Sequence, residues 1–254
     1  MIVMLCRNGL AYSRRCLESL LTQEGSPPIL VVDNASTDGT TAWLTAEQQR
    51  TWPQVRVFGM TFAETVSVAE AWNRALGWSW GRLGLAEGEV LVVNNDTELL
   101  PQTHRMLCEY LYRAESVGRP VGMVTCIGRE PKYMEQAVCQ ARVGCQDWSW
   151  NERPHPDFSC FLLARWAFEQ VGKFDEGFEG AYYEDNDYHV RMHRAGVKAV
   201  CIDLPFLHHA RGVMKGAGQL ERKRIAEAAD KNKRRFWEKY GCWPGTKGYE
   251  RLFE

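Results

Sequence analysis

Four consecutive acidic or amide residues stand between aromatic neighbours in the stretch YYEDNDYHVR, residues 182–191. They are Glu184, Asp185, Asn186 and Asp187. Such a cluster can hold a metal ion, take a proton from a substrate, or face solvent in a loop. The apolar residues Val190 and Met192, followed by Gly196 as a stop signal, predict a helix whose first turn contains the carboxylates. The stretch alone is therefore compatible with a catalytic base and equally with an acidic helix start that has no catalytic role.

A second set of polar residues follows apolar runs of strand length. MIVMLC (1–6), ILVVD (29–33), VRVFG (55–59) and VLVVNND (90–96) each precede a segment with the apolar spacing of a helix. Four such alternations predict an α/β fold with a mostly parallel sheet covered by helices on both faces. Ligands bind at the carboxyl ends of the strands in such sheets. The polar residues at these ends are Arg7, Asn8, Asp33, Asn34, Asn94, Asn95 and Asp96.

The second half of the chain has a less regular pattern. VGMVTC (121–126) predicts a fifth strand and AVCIDL (199–204) a later one, whereas residues 128–158 read as a long irregular loop that either carries function or is mobile. No internal repeat or composition shift marks a second folded domain. We expect one compact domain with soft boundaries, in which residues 1–115 and 116–210 form two halves and residues 211–254 a basic helical tail.

The composition is that of an ordinary globular protein. The 254 residues are 45% hydrophobic, which is enough to bury a full core, and the net charge of −1 gives no global attraction to nucleic acid or anionic membranes. MIVMLC lacks a basic lead and is interrupted by Arg7, so we interpret it as a first strand and not as a signal peptide. No apolar run approaches the roughly 20 residues of a membrane-spanning helix. Nine cysteines without a C-x-x-C pair indicate buried, reduced thiols, so we expect a soluble cytoplasmic protein.

Several motifs together resemble those of the family 2 glycosyltransferases, which have the GT-A (Rossmann-like) nucleotide-sugar-binding fold. VVDNASTDGT (31–40) is similar to the family's second strand and turn, ETVSVAEAWNRAL (64–76) to its E-N-x-G-x-x-x-A-x-N-R-G, and VVNNDTELLP (92–101) to its metal-binding D-x-D strand end. VGKFDEGF (171–178) is similar to its G-G-F-D-E-x-F, and YEDNDYHVRMHRAG (183–196) to its E-D-x-D-x-x-x-R-x-x-x-x-G. FWEKYG (236–241) resembles the F-x-x-K-W-G ending of the rhamnosyltransferase-like branch. The motifs occur in family order, and together they are far more specific than any one of them.

The resemblance implies a site for a UDP-, dTDP- or GDP-linked sugar in the first half and for the acceptor in the second. Asp33 would contact the nucleoside, with an Asx-turn as the alternative, and Arg74 would face the diphosphate or be an ordinary surface charge. Trp148 and Trp150 would either stack on a sugar or base or pin their loop to the core. The donor-binding candidates are Arg7, Asn8, Asp33, Asn34, Asn73, Arg74, Asn94 and Asn95, and the acceptor-binding candidates are Trp148, Trp150, Asp175 and Glu176.

The resemblance also implies a Mn or Mg ion at Asp96. A divalent cation stabilises the negative charge that develops on a departing nucleoside diphosphate. Asn94 replaces the first D-x-D aspartate and brings no charge, so we expect weaker cation binding in the absence of the diphosphate. The family places a metal-binding His after a strand, and His208 and His209 are the candidates. Neighbours in a strand point to opposite faces, so only one can reach the ion, and the spacing to Gly212 slightly favours His209.

The catalytic base implied by the resemblance is the Asp of the E-D pair, here Asp185. It would take the proton of the acceptor hydroxyl in an inverting transfer, with Glu184 as its neighbour near the acceptor. Asp187 and Arg191 stand four residues apart and are predicted to pair on one helix face, which gives Asp187 a structural part.

The leading interpretation is an inverting, metal-dependent hexosyl- or pentosyltransferase that acts on a hydroxyl of a glycan or lipid-linked glycan. One alternative is the same chemistry on a hydroxymethylated base in DNA, as in viral DNA modification. Another is a non-catalytic sugar-nucleotide-binding module with Asn94 as a sign of decay, although the presence of Asp96, Asp185 and a downstream His argues against it. Residues 211–240 hold ten Lys or Arg against four Asp or Glu. They form either a solvated helix face or a surface for phospholipid, lipid-linked diphosphate or nucleic acid.

Overall fold

The computed structural model describes residues 1–82, 88–138, 150–209 and 219–254. The strands are β1 (Ile2–Cys6), β2 (Ile29–Asp33), β3 (Val57–Thr61), β4 (Glu89–Asn94), β5 (Thr97–Glu98), β6 (Val121–Arg129), β7 (Glu152–Arg153), β8 (Cys160–Ala164) and β9 (Lys198–His208). The first helices are α1 (Leu10–Leu21), α2 (Thr40–Gln49), α3 (Val68–Arg82), α4 (Thr103–Ser116) and α5 (residues 131–138). The later helices are α6 (Arg165–Val171), α7 (Glu184–Arg194), α8 (Gln219–Tyr240) and α9 (Lys247–Glu250), followed by a 3₁₀ turn, Arg251–Phe253.

One mixed sheet runs through the molecule in the order β3-β2-β1-β4-β8-β6-β9-β5, and β7 pairs with β9 beside this path. β1 is parallel to β2 and β4, β2 is parallel to β3, and β6 is parallel to β9. β8 is inserted between β4 and β6 and is antiparallel to both. Every residue of β1, β2 and β8 is buried, as expected for central strands covered on both faces. The predicted α/β architecture with a mostly parallel sheet is confirmed.

The strand predictions differ from the structure mainly at the ends. β2 matches its predicted run residue for residue, and β3 begins and ends two residues later than predicted. The run from residue 128 to residue 158 was predicted to be irregular, and this is wrong for part of it. Its described residues include helix α5 and strand β7, which are too short to give a clear periodic pattern.

The C-terminal segment packs back on the fold through a small second core. Phe178, Val190, Phe236, Cys242 and Tyr249 form this cluster, so α7, α8 and α9 are held together by apolar contacts. The cysteines of the described segments are all unpaired and buried. No helix within these segments has the length and apolar character needed to cross a membrane.

Candidate active site

The carboxyl ends of β1, β2 and β4 bring the predicted donor-site residues to one edge of the sheet. Cys6 is in register with Asp33, and Leu5 with Asn94. The loops that follow are tied together, because the Asn95 amide donates to the Asn8 carbonyl at 2.8 Å and the Asn8 side-chain oxygen accepts the Thr37 N–H at 2.7 Å. The strand ends therefore form one contiguous polar surface.

Asp33 is fully buried at this edge. One of its oxygens accepts the Ser36 N–H at 3.0 Å, and the other accepts the Thr41 hydroxyl at 2.5 Å. The first contact is a local turn bond of the kind considered as the alternative to nucleoside binding, although it reaches three residues ahead and not the two of an Asx-turn. A carboxylate oxygen has two lone pairs, so the turn and a nucleoside contact are compatible, and nucleoside binding by Asp33 stays a prediction.

Two other predicted donor ligands are engaged within the protein. The Arg7 guanidinium pairs with Glu221 of α8 at 2.9 Å and donates to the carbonyls of Asn34 and Ala35. The Asn34 side chain donates to the Val66 carbonyl and accepts the Val66 N–H, both at 2.9 Å. These contacts favour a structural role for both side chains, in which they fix the loops around the donor edge.

Asn73 and Arg74 also make contacts that favour structure over donor binding. The buried Asn73 amide donates to the Phe174 carbonyl at 2.9 Å and to Glu176 at 2.8 Å, and its oxygen accepts the Phe174 N–H. Arg74 lies on the exposed side of α3, where it pairs with Glu70. The motif that contains both residues therefore joins α3 to the 174–176 segment.

A carboxylate and an imidazole meet where β4 and β9 end. Asp96 lies 3.6 Å from His208 (Oδ1 to Nε2), whereas His209 Nε2 is 2.6 Å from Glu98 Oε1. The imidazole that faces Asp96 is thus that of His208, which favours His208 over His209 as the metal ligand. Burial alone would lower the pKa of His208, but the Asp96 carboxylate and the more distant Asp157 raise it above its ordinary value.

The donor set at this point fits a divalent cation that is completed by a substrate. No group of three or more His, Cys, Asp or Glu side chains in the described segments could hold a metal ion by itself. Asp96 and His208 supply one oxygen and one nitrogen, both of which bind Mn. The remaining ligands would have to come from water or from the oxygens of a diphosphate, as is usual for cations at phosphate-binding sites.

The acidic stretch follows a strained turn. Tyr182 and Tyr183 have φ angles of 80° and 74°, which residues with a Cβ rarely adopt, and α7 begins at the next residue. Asn232 of α8 holds the turn, because its amide donates to the carbonyls of residues 179, 181 and 182 at 2.7 to 3.1 Å. Its oxygen accepts the Glu179 N–H at 2.9 Å. Sequence reasoning missed Asn232, whose only signal is that it is an amide within the basic run KNKRR.

Glu184 and Asp185 occupy the first turn of α7, as predicted. Glu184 is buried, and burial together with the charge of Asp185 raises the pKa of its carboxyl well above the usual range. Burial also raises the pKa of Asp185. Asp185 lines a cavity of about 230 Å³ whose walls include Phe158, His189 and Tyr249. A carboxylate with a raised pKa at the wall of a cavity can act as a base toward a bound hydroxyl.

Asp187 and Asp175 are two further carboxylates of the acidic motifs, and their contacts favour a structural role. Asp187 is fully buried and accepts hydrogen bonds from Arg191 at 2.8 Å, from Tyr240 at 2.7 Å and from Lys239. Asp175 pairs with Lys239 at 2.8 Å and with Arg235 at 3.0 Å. Lys239 and Tyr240 of the FWEKYG ending therefore link the end of α8 to α7 through Asp187.

The contacts of Asp175 and Glu176 do not favour the predicted acceptor binding. Burial alone would raise the pKa of Asp175, but Lys239, the Gly177 N–H and Arg235 lower it to about 2. Glu176 accepts the Asn73 amide. Both carboxylates are engaged with groups of the protein itself, which favours a structural role.

The predicted aromatic acceptor ligands are only partly placed. Trp150 is half-buried and packs against the main core, which favours the alternative that it pins its loop. Trp148 lies outside the described residues. So does Gly212, whose spacing in the sequence slightly favoured His209 as the metal ligand.

Asp157 is a carboxylate of the candidate site that sequence reasoning missed. It precedes β8, and its oxygens accept the Ser159 N–H at 2.9 Å and the Gly128 N–H at 3.2 Å. A Cβ added to Gly128 would touch both Asp157 and the Cβ of His208, so the two side chains border the same point. Its charge raises the pKa of His208 and also that of Asp185. Asp157 is therefore close to His208, and its charge is also felt by the predicted base.

Comparison with known proteins identifies the family of the chain. Residues 1–172 match the family model described as glycosyl transferase family 2. The chain is 25% identical over 257 residues to the O-antigen biosynthesis protein RfbC of Myxococcus xanthus. That match covers 92% of this chain but only 18% of the relative, so the chain spans less than a fifth of that protein.

Solved structures show the same fold at low identity. The mannosyltransferase PcManGT from Pyrobaculum calidifontis, in complex with GDP-Man and Mn²⁺, aligns with a TM-score of 0.61 at 18% identity, over 99% of this chain and 67% of that one. GalNAc-T7 with UDP, GalNAc and Mn²⁺ aligns with a TM-score of 0.61 at 12% identity, over 82% of this chain and 43% of that one. The fold is that of the GT-A glycosyltransferases.

Proposed function

The chain belongs to glycosyl transferase family 2, and from that premise we propose that it is an inverting, metal-dependent glycosyltransferase that moves a sugar from a nucleoside diphosphate sugar to a hydroxyl of a glycan or lipid-linked glycan. The observation that carries the proposal is the position of Asp185, a carboxylate with a raised pKa at the wall of a cavity. The neighbours that bind GDP-Man and UDP support a nucleotide-linked donor. The resemblance of the FWEKYG ending to F-x-x-K-W-G supports assignment to the rhamnosyltransferase-like branch.

Asp185 is proposed to take the proton of the acceptor hydroxyl. The hydroxyl oxygen forms a bond to the anomeric carbon as the bond from that carbon to the diphosphate oxygen breaks, and the nucleoside diphosphate leaves with the electron pair. The raised pKa makes Asp185 a stronger base than an ordinary aspartate while the strained turn fixes its direction. Asp96 and His208 are proposed to hold the divalent cation, which stabilises the charge on the leaving diphosphate when bound.

The proposal is tested by a transfer assay on the purified chain. Donors are UDP-, dTDP- and GDP-linked sugars with Mn²⁺, and the acceptor panel contains glycans, lipid-linked glycans and hydroxymethylated DNA. We expect transfer to a glycan class that is lost in Asp185→Asn, while the variant still binds the nucleoside diphosphate. Donor turnover no higher than background in both wild type and Asp185→Asn would instead favour a binding module. Equal turnover above background would show that Asp185 is not the base, and transfer to DNA alone would overturn the proposed acceptor.

A further inference from the structure

Two tryptophans lie side by side in solvent at the end of α8. Trp237 is 45% exposed and Trp243 is 41% exposed, with ring centroids 4.4 Å apart. The opposite face of the helix is held by the fully buried Phe236 and by Asn232, so the exposed pair sits on an anchored element. Contiguous apolar surface of this kind commonly marks an interaction site.

Cations surround the pair on the same exposed face. The helix segment from residue 230 to residue 239 holds five Lys or Arg against two acidic residues, Asp230 and Glu238, and Asp230 shares the helix face of the patch. Lys231 and Arg235 are paired with carboxylates of the protein. Lys233 and Arg234 are exposed and form no ion pair with a carboxylate in the described part of the chain. The Lys233 ammonium lies 5.3 Å from the Trp243 ring centroid, so charge and apolar surface form one patch.

The patch borders the cavity that contains the proposed base. Trp243 is followed directly by Pro244 and Gly245, which line that cavity together with Asp185. A partner that binds the patch would therefore lie close to the cavity that an acceptor hydroxyl would enter.

We propose that Lys233, Arg234, Trp237 and Trp243 form a docking patch for an anionic phospholipid bilayer, which would present a lipid-linked acceptor to the cavity. Indole rings favour the boundary between headgroups and acyl chains, and Lys and Arg are attracted to anionic headgroups. Nucleic acid is the weaker fit, because base stacking needs an open aromatic face and these two rings already lie against each other. The role in acceptor presentation rests on the proposed function, whereas the docking itself does not.

The test is sedimentation of the full chain with phospholipid vesicles, without donor or acceptor. We expect binding to vesicles of phosphatidylcholine mixed with phosphatidylglycerol but not to phosphatidylcholine alone, and weaker binding at high salt. Tryptophan fluorescence should be quenched by brominated phospholipid. The double variant Lys233→Ala and Arg234→Ala should bind about 25-fold more weakly, at about fivefold for each cation.

Two tryptophan variants distinguish loss of the docking patch from the general effect of removing an exposed tryptophan. Trp237→Ala with Trp243→Ala should abolish binding and quenching, whereas Trp166→Ala, which removes a tryptophan that is 38% exposed on α6, should leave both unchanged. A wild-type chain that does not bind anionic vesicles would overturn the proposal. So would vesicle binding that is as strong in the double variant Lys233→Ala and Arg234→Ala as in wild type, or a patch that binds single-stranded DNA and not vesicles. None of these outcomes affects the transfer assay, so failure of docking is distinguishable from failure of the proposed function.

Discussion

Replacing Asn232 by alanine is expected to lower both the stability of the fold and the rate of sugar transfer. The side chain is 1% exposed and links α8 to the turn at residues 179–182 through one accepted and three donated contacts. The turn contains Tyr182 and leads into Tyr183, both at positive φ, which costs about 1–3 kcal/mol for each such residue. Asn232 is thus the main polar support of a backbone conformation that is unfavourable by itself.

The expected loss of stability follows from the groups that lose a hydrogen-bond partner. In Asn232→Ala the Glu179 N–H loses its acceptor, and the loss of a part-buried hydrogen bond costs about 0.5–1.5 kcal/mol. Three carbonyls also lose their donor, but relaxation of the strained turn at Tyr182 and Tyr183 offsets part of this cost. We therefore expect the free energy of unfolding to fall by about 2 kcal/mol. For a chain of this size that lowers Tm by about 4–8 °C. The relaxed turn also displaces Asp185, and a shift of about 1 Å at a reacting group can reduce the rate about 100-fold.

Three measurements on Asn232→Ala test whether Asn232 stabilises the fold and positions Asp185. Calorimetry gives Tm, the transfer assay gives kcat, and titration with the nucleoside diphosphate gives donor affinity, which should be unchanged because the donor edge lies on other elements. Asn151→Ala is the control, since this exposed amide also bonds a partner, Asp203 at 2.7 Å, and should change stability by less than about 0.5 kcal/mol. A variant with lowered Tm but wild-type kcat would refute the idea that Asn232 positions the base.

Other expectations concern the carboxylates and imidazoles of the site. Asp187→Asn should destabilise the fold by about 3 kcal/mol in urea denaturation, because its three donors lose a buried carboxylate, whereas Asp185→Asn should keep its stability and lose transfer. Glu184 has a raised folded-state pKa, so the folded chain keeps a proton that the unfolded chain releases above about pH 4.3. Wild-type stability should therefore fall as pH rises through that raised pKa, and Glu184→Gln should gain stability relative to wild type at pH 8 but not at pH 4. In thermal-shift measurements with a nucleoside diphosphate, His208→Ala should abolish the extra stabilisation by Mn²⁺ and His209→Ala should retain it.

The limits of sequence reasoning are seen at residues whose partners are far along the chain. The strand runs and the first turn of α7 were predictable because their signals are local. The roles of Asn73 and Asp175 were not, since their contacts lie about 100 and 60 residues away. A sequence motif does not distinguish residues that bind a ligand from residues that support the fold around the site, because the same motif contains both. Alternation in β9 indicates that only one of His208 and His209 can face Asp96, but the choice depends on the pairing of Thr97 with His208, which has no local signal.

The charges at the donor edge support the proposed dependence on a divalent cation. Asp96 and Asp157 are both close to His208, and a nucleoside diphosphate would add further negative charge. Arg7 is the cation that directly follows β1, and its guanidinium is already paired with Glu221 at 2.9 Å. Without a counter-charge, the diphosphate would meet a carboxylate across a partly dry site, where repulsion is stronger than in water. With Asp96 and His208 as the protein ligands that the described residues offer, a cation at this edge would gain much of its affinity from the diphosphate itself. The cation and the diphosphate would thus bind cooperatively. Asn94 at the end of β4 brings no charge where the D-x-D motif has a carboxylate, and this strengthens the dependence of the cation on the diphosphate.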